Sequence, residues 1–316
     1  ALPAAARSDP ARATAGDLGF AVAPRLNAAG RLADMRLGIE TLLAGTPREA
    51  ALRAERLEAL NRERRDIESD MREQAETELE RLRAALGDET GLPAGITLHD
   101  PRWHQGVIGI LAGRVREAIH RPTVVLADAG EGRLKGSARS IPGLHVRDVL
   151  AAIDARHPGL IERFGGHAMA AGLTLPATRL EDFRNAFAEG VMQALGGAVP
   201  EREVVTDGAL APGEITLETA EALRAAGPWG AGFPEPTFDG RFEVRDARVV
   251  GERHLRLSVV PAAGGPALEA IAFNPPPGTR AQPGETMQLV YRLEVNDYRG
   301  RRRVQLVVEH LLPASG

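Results

Sequence analysis

The 316-residue sequence contains no cysteine, which excludes disulfides and thiolate-held metals. It has no run of about 18 apolar residues, so no segment reads as a membrane-spanning helix. Nor does it open with a basic stretch leading into a short apolar core, the pattern of a secretory leader. A cytoplasmic protein is the expectation from these three absences. Catalytic signatures are missing as well. There is no Gly-x-x-x-x-Gly-Lys-Ser/Thr loop, no Gly-x-Ser-x-Gly elbow and no His-Glu-x-x-His pair. Neither Asp-x-Asp nor Asp-His-His is present to hold two divalent ions for phosphoryl transfer. The first residue is not Met, and the breaker-rich opening ALPAAARSDPARATAGD reads as the middle of a longer protein.

What is present is ordinary globular material, 43% hydrophobic and 26% charged, in a length that suits two domains. The net charge of -4 hides a sorted distribution. Acidic residues gather between Glu49 and Glu89, interleaved with arginine, whereas Arg299, Arg301, Arg302 and Arg303 fall within five positions. From Pro47 to Leu86 glycine and proline nearly vanish, and apolar residues recur at three- to five-residue steps from Leu52 to Leu86. Thr46 caps this run, Pro47 takes the first helical position and Gly87 ends it, predicting one amphipathic helix of roughly 60 Å. Residues 91–195 alternate strand and helix signals. Strands are expected at Ile96–His99, Thr123–Ala127, Leu134–Ile141 and Ala168–Leu175, with helices at Val107–Ile119, Val146–Ala155 and Leu180–Leu195. This is an α/β domain with a small mixed sheet. After Pro200 a short helix (Leu217–Ala226) leads into strand-like runs at Thr237–Val244, Arg248–Val250, Leu255–Val260, Leu268–Phe273, Met287–Leu293 and Arg303–Glu309. About five strands in so short a stretch predict an all-β closed barrel of OB-fold type.

Two segments carry the chemistry. In Phe164-Gly165-Gly166-His167-Ala168-Met169-Ala170-Ala171-Gly172, the glycines free the backbone to approach a ligand, and His167 can donate to a phosphate oxygen or support a leaving group. In Lys135-Gly136-Ser137-Ala138-Arg139-Ser140, strand alternation puts Ser137 and Arg139 on one face with Lys135 beside them, a pairing suited to phosphate. A polar strand face meeting solvent is the competing account. Asp100-Pro101-Arg102-Trp103-His104-Gln105-Gly106 precedes a helix, a natural anion site. Trp103 there reads as either a stacking platform or a core plug, the plug weighing more. His99 and His104 have no accompanying carboxylate cluster to make a metal site. Pro24-Arg25-Leu26-Asn27-Ala28-Ala29-Gly30-Arg31 frames a small-residue turn with two arginines. Asn61-Arg62-Glu63-Arg64-Arg65 reads most simply as a solvated helix face.

PRLNAAGRL, NRERR, WHQGVIGILAGR, KGSARS and FGGHAMAAG, followed by GPWGAGFPEPTF, HLRLSV, AIAFN and YRLEVNDYRGRRRVQLVVEH, occur in one order. In that order, from about residue 17 to 310, the sequence resembles the RecJ single-strand-specific DNA exonucleases of the DHH phosphoesterase superfamily. The resemblance implies an N-terminal DHH domain with aspartate and histidine ligands for Mn²⁺ or Mg²⁺, its metal motifs lying upstream of residue 1. It implies 5′ to 3′ degradation of single-stranded DNA to mononucleotides in recombination and repair. Residues 1–45 then correspond to the tail of the DHH domain, 46–90 to the connecting helix, 91–197 to the DHH-associated domain and 198–316 to the OB-fold. Carried over by position, His167 contacts the scissile phosphate. Ser137 and Arg139, with Gly165 and Gly166 nearby, hold a DNA phosphate, the 5′-terminal one being the leading assignment, and Arg31 or Arg25 assists. In the OB-fold, Tyr298, Arg299, Arg301, Arg302 and Arg303 guide the strand, with ordinary barrel packing an equal alternative for Tyr291 and Tyr298. Candidate partners are single-stranded DNA and, on the protein side, a single-strand-binding protein or a helicase. The loop Trp229-Gly230-Ala231-Gly232-Phe233 departs from the family's more frequent Phe-Gly-x-Gly-Asn. A non-catalytic single-strand-binding module, and a relative acting on short oligonucleotides or nucleotide phosphoesters, are the other two readings; relatives of the latter kind usually lack an OB-fold.

Overall fold

The structure, a computed structural model, describes residues 1–5, 16–86, 92–198, 201–230, 232–251, 254–275, 279–298 and 301–313; for 81–86 and 298 it describes the backbone only. Among the expectations, Gly87, Arg299 and the side chains of Leu82, Leu86 and Tyr298 lie outside the described residues. The chain forms two compact units, one made essentially of residues up to Arg202 and the other of Glu203–Gly316.

The first unit begins with helices α1 (Leu2–Ala5), α2 (Ala23–Leu32) and α3 (Arg36–Leu42), a π-helical turn at Asp17–Val22 preceding α2. They pack on the first part of α4 (Pro47–Leu86), where Leu2, Ala29, Ala54 and Leu57 make a small core. Helix α4 has the predicted limits, and Thr46 Oγ1 caps it through the Glu49 amide. A five-stranded sheet follows, ordered β1-β2-β3-β5-β4, with β1 (Ile96–His99) parallel to β2 (Thr123–Asp128). Strands β3 (Arg133–Arg139), β5 (Ala170–Pro176) and β4 (Arg163–Gly166) extend it in antiparallel fashion. Alternate residues of β2 enter different cores. Val124 and Leu126 join the cluster made with α6 (Val146–Arg156) and α7 (Leu180–Ala194), while Val125 and Ala127 join the one made with α4 and α5 (Ile108–Ile119). The sheet is therefore buried on both faces by helices, as an α/β layer requires.

The sequence expectation missed β4. The paired glycines of Arg163-Phe164-Gly165-Gly166 carry no strand signal, yet Gly165 pairs with Gly172 and Gly166 with Ala171. Partner-strand hydrogen bonds supply what the glycines lack in propensity.

In the second unit α8 (Leu217–Ala226) precedes five strands closed into a barrel, ordered β10-β8-β7-β6-β9. The runs expected at Thr237–Val244 and Arg248–Val250 are one strand, β6 (Phe238–Val250), with an irregularity between Val244 and Asp246. Such a bulge bends the strand without ending it. Strands β7 (His254–Pro261), β8 (Leu268–Ala272), β9 (Thr286–Tyr298) and β10 (Arg301–Pro313) complete the ring, with β10 antiparallel to β9 and parallel to β8.

Candidate functional site

Strand β3 alternates as predicted: Leu134, Gly136 and Ala138 are buried, while Lys135, Ser137 and Arg139 face the other way, Lys135 exposed and the other two half-buried. That second face meets the first turn of α5. A Cβ added to Gly109 would lie 2.9 Å from Arg139 Nη2 and 3.1 Å from Ser137 Oγ, so glycine is what lets the helix start close to both groups. No side-chain hydrogen bond caps the start of this helix, so its first turn is open to an anion. Arg139 Nη1 donates to Ser137 Oγ (2.9 Å) and to the Ala138 carbonyl (2.8 Å), which fixes the guanidinium.

Arg31, in the last turn of α2, reaches the loop before α5 and donates to the Gly106 carbonyl at 3.1 Å. The loop is itself tied down. Arg102 grips Asp100 through Nε (2.9 Å) and Nη2 (2.7 Å), and Gln105 Nε2 donates to the Asp128 carbonyl at 2.8 Å. The Gly106 amide donates to His104 Nδ1 at 3.0 Å, and His99 Nε2 sits 3.1 Å from Asp128 Oδ1. These histidines are loop fasteners. Trp103 is a core plug, 5% exposed, its indole N–H donating to Gln74 Oε1 at 2.8 Å.

The cations crowd one another. Burial, then Arg31 and Arg116, hold the Arg139 guanidinium below its ordinary pKa. Burial, then Arg64, does the same to Arg31, with Glu68 acting in the opposite direction. Glu68 is already engaged by Arg64 at 2.7 Å and Arg114 at 3.5 Å. Like charges gathered where water is thin leave a shortage that an anion would fill.

The segment read as a solvated helix face requires a correction. Arg62, Glu63 and Arg65 are exposed, but Asn61 is fully buried and Arg64 half-buried, with Arg64 Nε and Nη2 donating to Asn61 Oδ1 at 3.3 and 3.2 Å. Asn61, Arg64 and Glu68, spaced as i, i+3 and i+7, form an inward polar stripe that sequence reasoning passed over. Arg116 was also missed; its position on α5 gave no signal without the fold. Arg25 needs correcting too. It is buried and paired with Glu58 Oε2 at 2.6 Å, and it donates to the Ala21 and Ala5 carbonyls. Its role is to hold α2 on α4.

His167 is exposed in the turn between β4 and β5, whose closure is the His167 amide donating to the Ala170 carbonyl at 2.8 Å. Gly166 has φ of 150°, and a Cβ there would collide with the Ala170 carbonyl and Ala171. Only glycine fits. Ala170 pairs with Arg139 across β5 and β3. His167 thus lies about two strand spacings, on the order of 10 Å, from Arg139 along the same end of the sheet.

In the barrel, Arg301, Arg302 and Arg303 are exposed on β10, and Arg302 pairs with Glu221 of α8 at 2.8 Å. Tyr291 is interior, 1% exposed, edge-on to Phe242 at 5.5 Å and tilted against Phe238 at 6.2 Å. Burial, then the Asp239 charge, push its phenol up to about 12. Among the described residues no three histidine, aspartate or glutamate side chains converge as a metal site. Among the described residues, then, no donor set fits the divalent ions that the family resemblance implies.

Comparison with known proteins agrees with this architecture. Residues 93–193 match the DHHA1 domain and residues 206–310 the RecJ OB domain. The chain is 51% identical to the single-stranded-DNA-specific exonuclease RecJ of Dickeya dadantii, over 99% of this chain and 54% of that protein. It is 47% identical to the protein of the same name from Escherichia coli, again over 99% of this chain and 54% of that one. Its fold matches the crystal structure of RecJ in complex with Mg²⁺ from Thermus thermophilus, with a TM-score of 0.77 and 28% identity, covering 100% of this chain and 46% of that one. A second structure of the Thermus protein, in complex with Mn²⁺, matches equally, with 44% of that chain covered. The chain spans about half the length of the curated relatives it matches. By a DHHA1 domain followed by a RecJ OB domain in one polypeptide, the chain is similar to the DHHA1–OB portion of the RecJ exonucleases.

Proposed function

We propose that this chain is the substrate-binding portion of a metal-dependent 5′–3′ single-stranded-DNA exonuclease of recombination and repair. The observation that carries the reading is the crowded cation site of Arg31, Arg64, Arg116 and Arg139, set with Ser137 against the uncapped start of α5. Such a site binds a phosphate through a fixed guanidinium, a hydroxyl and free amides. In this reading it takes the 5′-terminal phosphate, with Arg31 and Arg139 as the charged ligands. His167, at the same end of the sheet, contacts the scissile phosphate and donates to its oxygen as charge develops. Gly165 and Gly166 let backbone approach the strand there. The exposed arginines of β10 track the DNA backbone.

Hydrolysis is assigned to a metal-holding domain of the full-length enzyme, since the described residues offer no cage. The Mg²⁺ and Mn²⁺ in the Thermus structures support a divalent ion in that role. Ions held there would supply Lewis-acid polarisation of the phosphoryl group and would acidify a bound water. The residues of this chain bind, orient and register the strand.

The test mixes the purified chain with 5′-phosphorylated single-stranded DNA and Mn²⁺. Binding that weakens steeply with salt, at a log–log slope of about −0.7 per phosphate contacted, together with negligible nucleotide release, is expected. Rapid nucleotide release by the pure chain would overturn the division of labour.

A further inference from the structure

Between α8 and β6 the segment Gly227–Pro236 carries two aromatic rings that neither the phosphate site nor the barrel interior uses. The Trp229 and Phe233 centroids are 4.6 Å apart with planes inclined by 34°. The indole rests on Gly227, where a Cβ would come within 3.4 Å of Cδ1 and 3.5 Å of Nε1. Phe233 is 57% exposed.

The segment is held in place at several points. The Gly230 amide donates to the Phe233 carbonyl at 2.8 Å, and the Phe233 amide returns a bond to the Gly230 carbonyl at 3.0 Å. Glu235 is paired with Arg292 of β9 at 2.6 Å. The Thr237 amide donates to Asp207 Oδ2 at 2.9 Å. On the other side, α8 is pinned to β10 by Glu221 and Arg302 at 2.8 Å, and only about 8 Å of helix rise separates Glu221 from the end of α8. The ring-bearing segment is thus tied to β9 through Glu235, and the helix that leads into it is tied to β10 through Glu221 and Arg302. Of that neighbourhood's cations, Arg224, Arg301 and Arg303 are exposed and have no carboxylate at ion-pair distance among the described residues. A prefixed aromatic pair, with Phe233 exposed and Trp229 half-buried behind it, in the same unit as unpaired cations matches single-stranded nucleic acid: bases stack on the rings, and phosphates meet the arginines.

We propose that Trp229 and Phe233 form a base-stacking platform for single-stranded DNA, outside the barrel strands themselves. This rests on the single-strand-binding reading above and adds a site to it. Tryptophan emission gives a direct readout, because the chain has two tryptophans and the other, Trp103, is sealed in the core of the first unit. The 316-residue chain is titrated with (dT)12 and with a deoxyribose-phosphate 12-mer lacking bases. The proposal expects (dT)12, and not the abasic strand, to quench emission, and the quench to vanish in Trp229→Phe. Phe233→Ala should weaken (dT)12 binding about five- to tenfold and leave abasic binding unchanged, with Phe233→Tyr restoring affinity. Phe233→Leu keeps apolar area without a ring and should behave as the alanine variant.

Equal (dT)12 affinity in wild type and Phe233→Ala, or a quench that survives Trp229→Phe, overturns the platform while single-strand binding stands. Full rescue by leucine also overturns it, pointing to an apolar protein contact. No (dT)12 binding by the wild-type chain overturns the platform and the single-strand-binding reading together.

Discussion

Gly109→Ala separates the proposed phosphate site from the stability of the fold that carries it. On α5 an alanine is favoured over glycine by up to about 1 kcal/mol, less in the first turn, so the helix itself is not weakened. The new Cβ would, however, lie 2.9 Å from Arg139 Nη2, closer than real Cβ contacts come, and 3.1 Å from Ser137 Oγ, a tight contact. The end of an arginine side chain moves cheaply, so relief comes from the guanidinium leaving its place. That removes one charge-assisted bond to a bound phosphate, about 1.5–3 kcal/mol, or roughly a tenfold to hundredfold loss of affinity. The assay is fluorescence anisotropy with paired oligonucleotides differing only in a 5′-phosphate, read beside thermal unfolding. The expected variant melts at or slightly above the wild-type temperature and loses its preference for the phosphorylated strand. If both strands bind as in wild type, or both weaken equally, Ser137 and Arg139 are not the terminal-phosphate site.

Three further outcomes follow from the geometry. Arg25→Ala leaves the partly buried Glu58 carboxylate without its partner and should destabilise the first unit by about 1–3 kcal/mol in urea unfolding, whereas Arg31→Ala should lower DNA affinity with little change in midpoint. Tyr291 keeps its proton more tightly folded than unfolded, so its contribution to barrel stability is complete below the unfolded value near 10. It is lost as pH rises through about 12. Urea midpoints between pH 9.5 and 12 should fall in wild type and flatten in Tyr291→Phe. In a full-length enzyme carrying this portion, His167→Ala should cut single-turnover cleavage at least tenfold while strand affinity stays within about twofold; equal losses in both would remove His167 from the chemistry.

Much of this architecture was legible because the relevant signals are local. Helix α4 announces itself through Thr46, Pro47 and a long stretch without breakers, and β3 through strict alternation, so Ser137 and Arg139 could be assigned one face before any fold was known. What failed to show was non-local. Strand β4 is made of residues whose own preference is a turn and exists because β5 pairs with it. Arg25 and Arg31 look alike in sequence, six residues apart, yet Glu58 claims the first and the α5 loop the second. Asn61, Arg64 and Glu68 hid inside a helix rich in charge, where an inward polar stripe and a solvated one have the same composition. The cation crowding at Arg139 requires four elements to meet, and no window of sequence contains them.

The parallel pairing of β10 with β8 has a consequence for how the protein is made. Residues 305–308 must find 269–272 to shut the ring, and β10 is the last strand to leave the ribosome. Until it does, β8 and β9 each present an unpaired edge on the growing chain, the state most open to wrong association. The first unit has all its strands by Pro176 and its last sheet-covering helix by Ala194, so it can settle while the barrel is still being synthesised. Slower translation after Leu268 should therefore lengthen the aggregation-prone interval of the second unit and leave the first untouched.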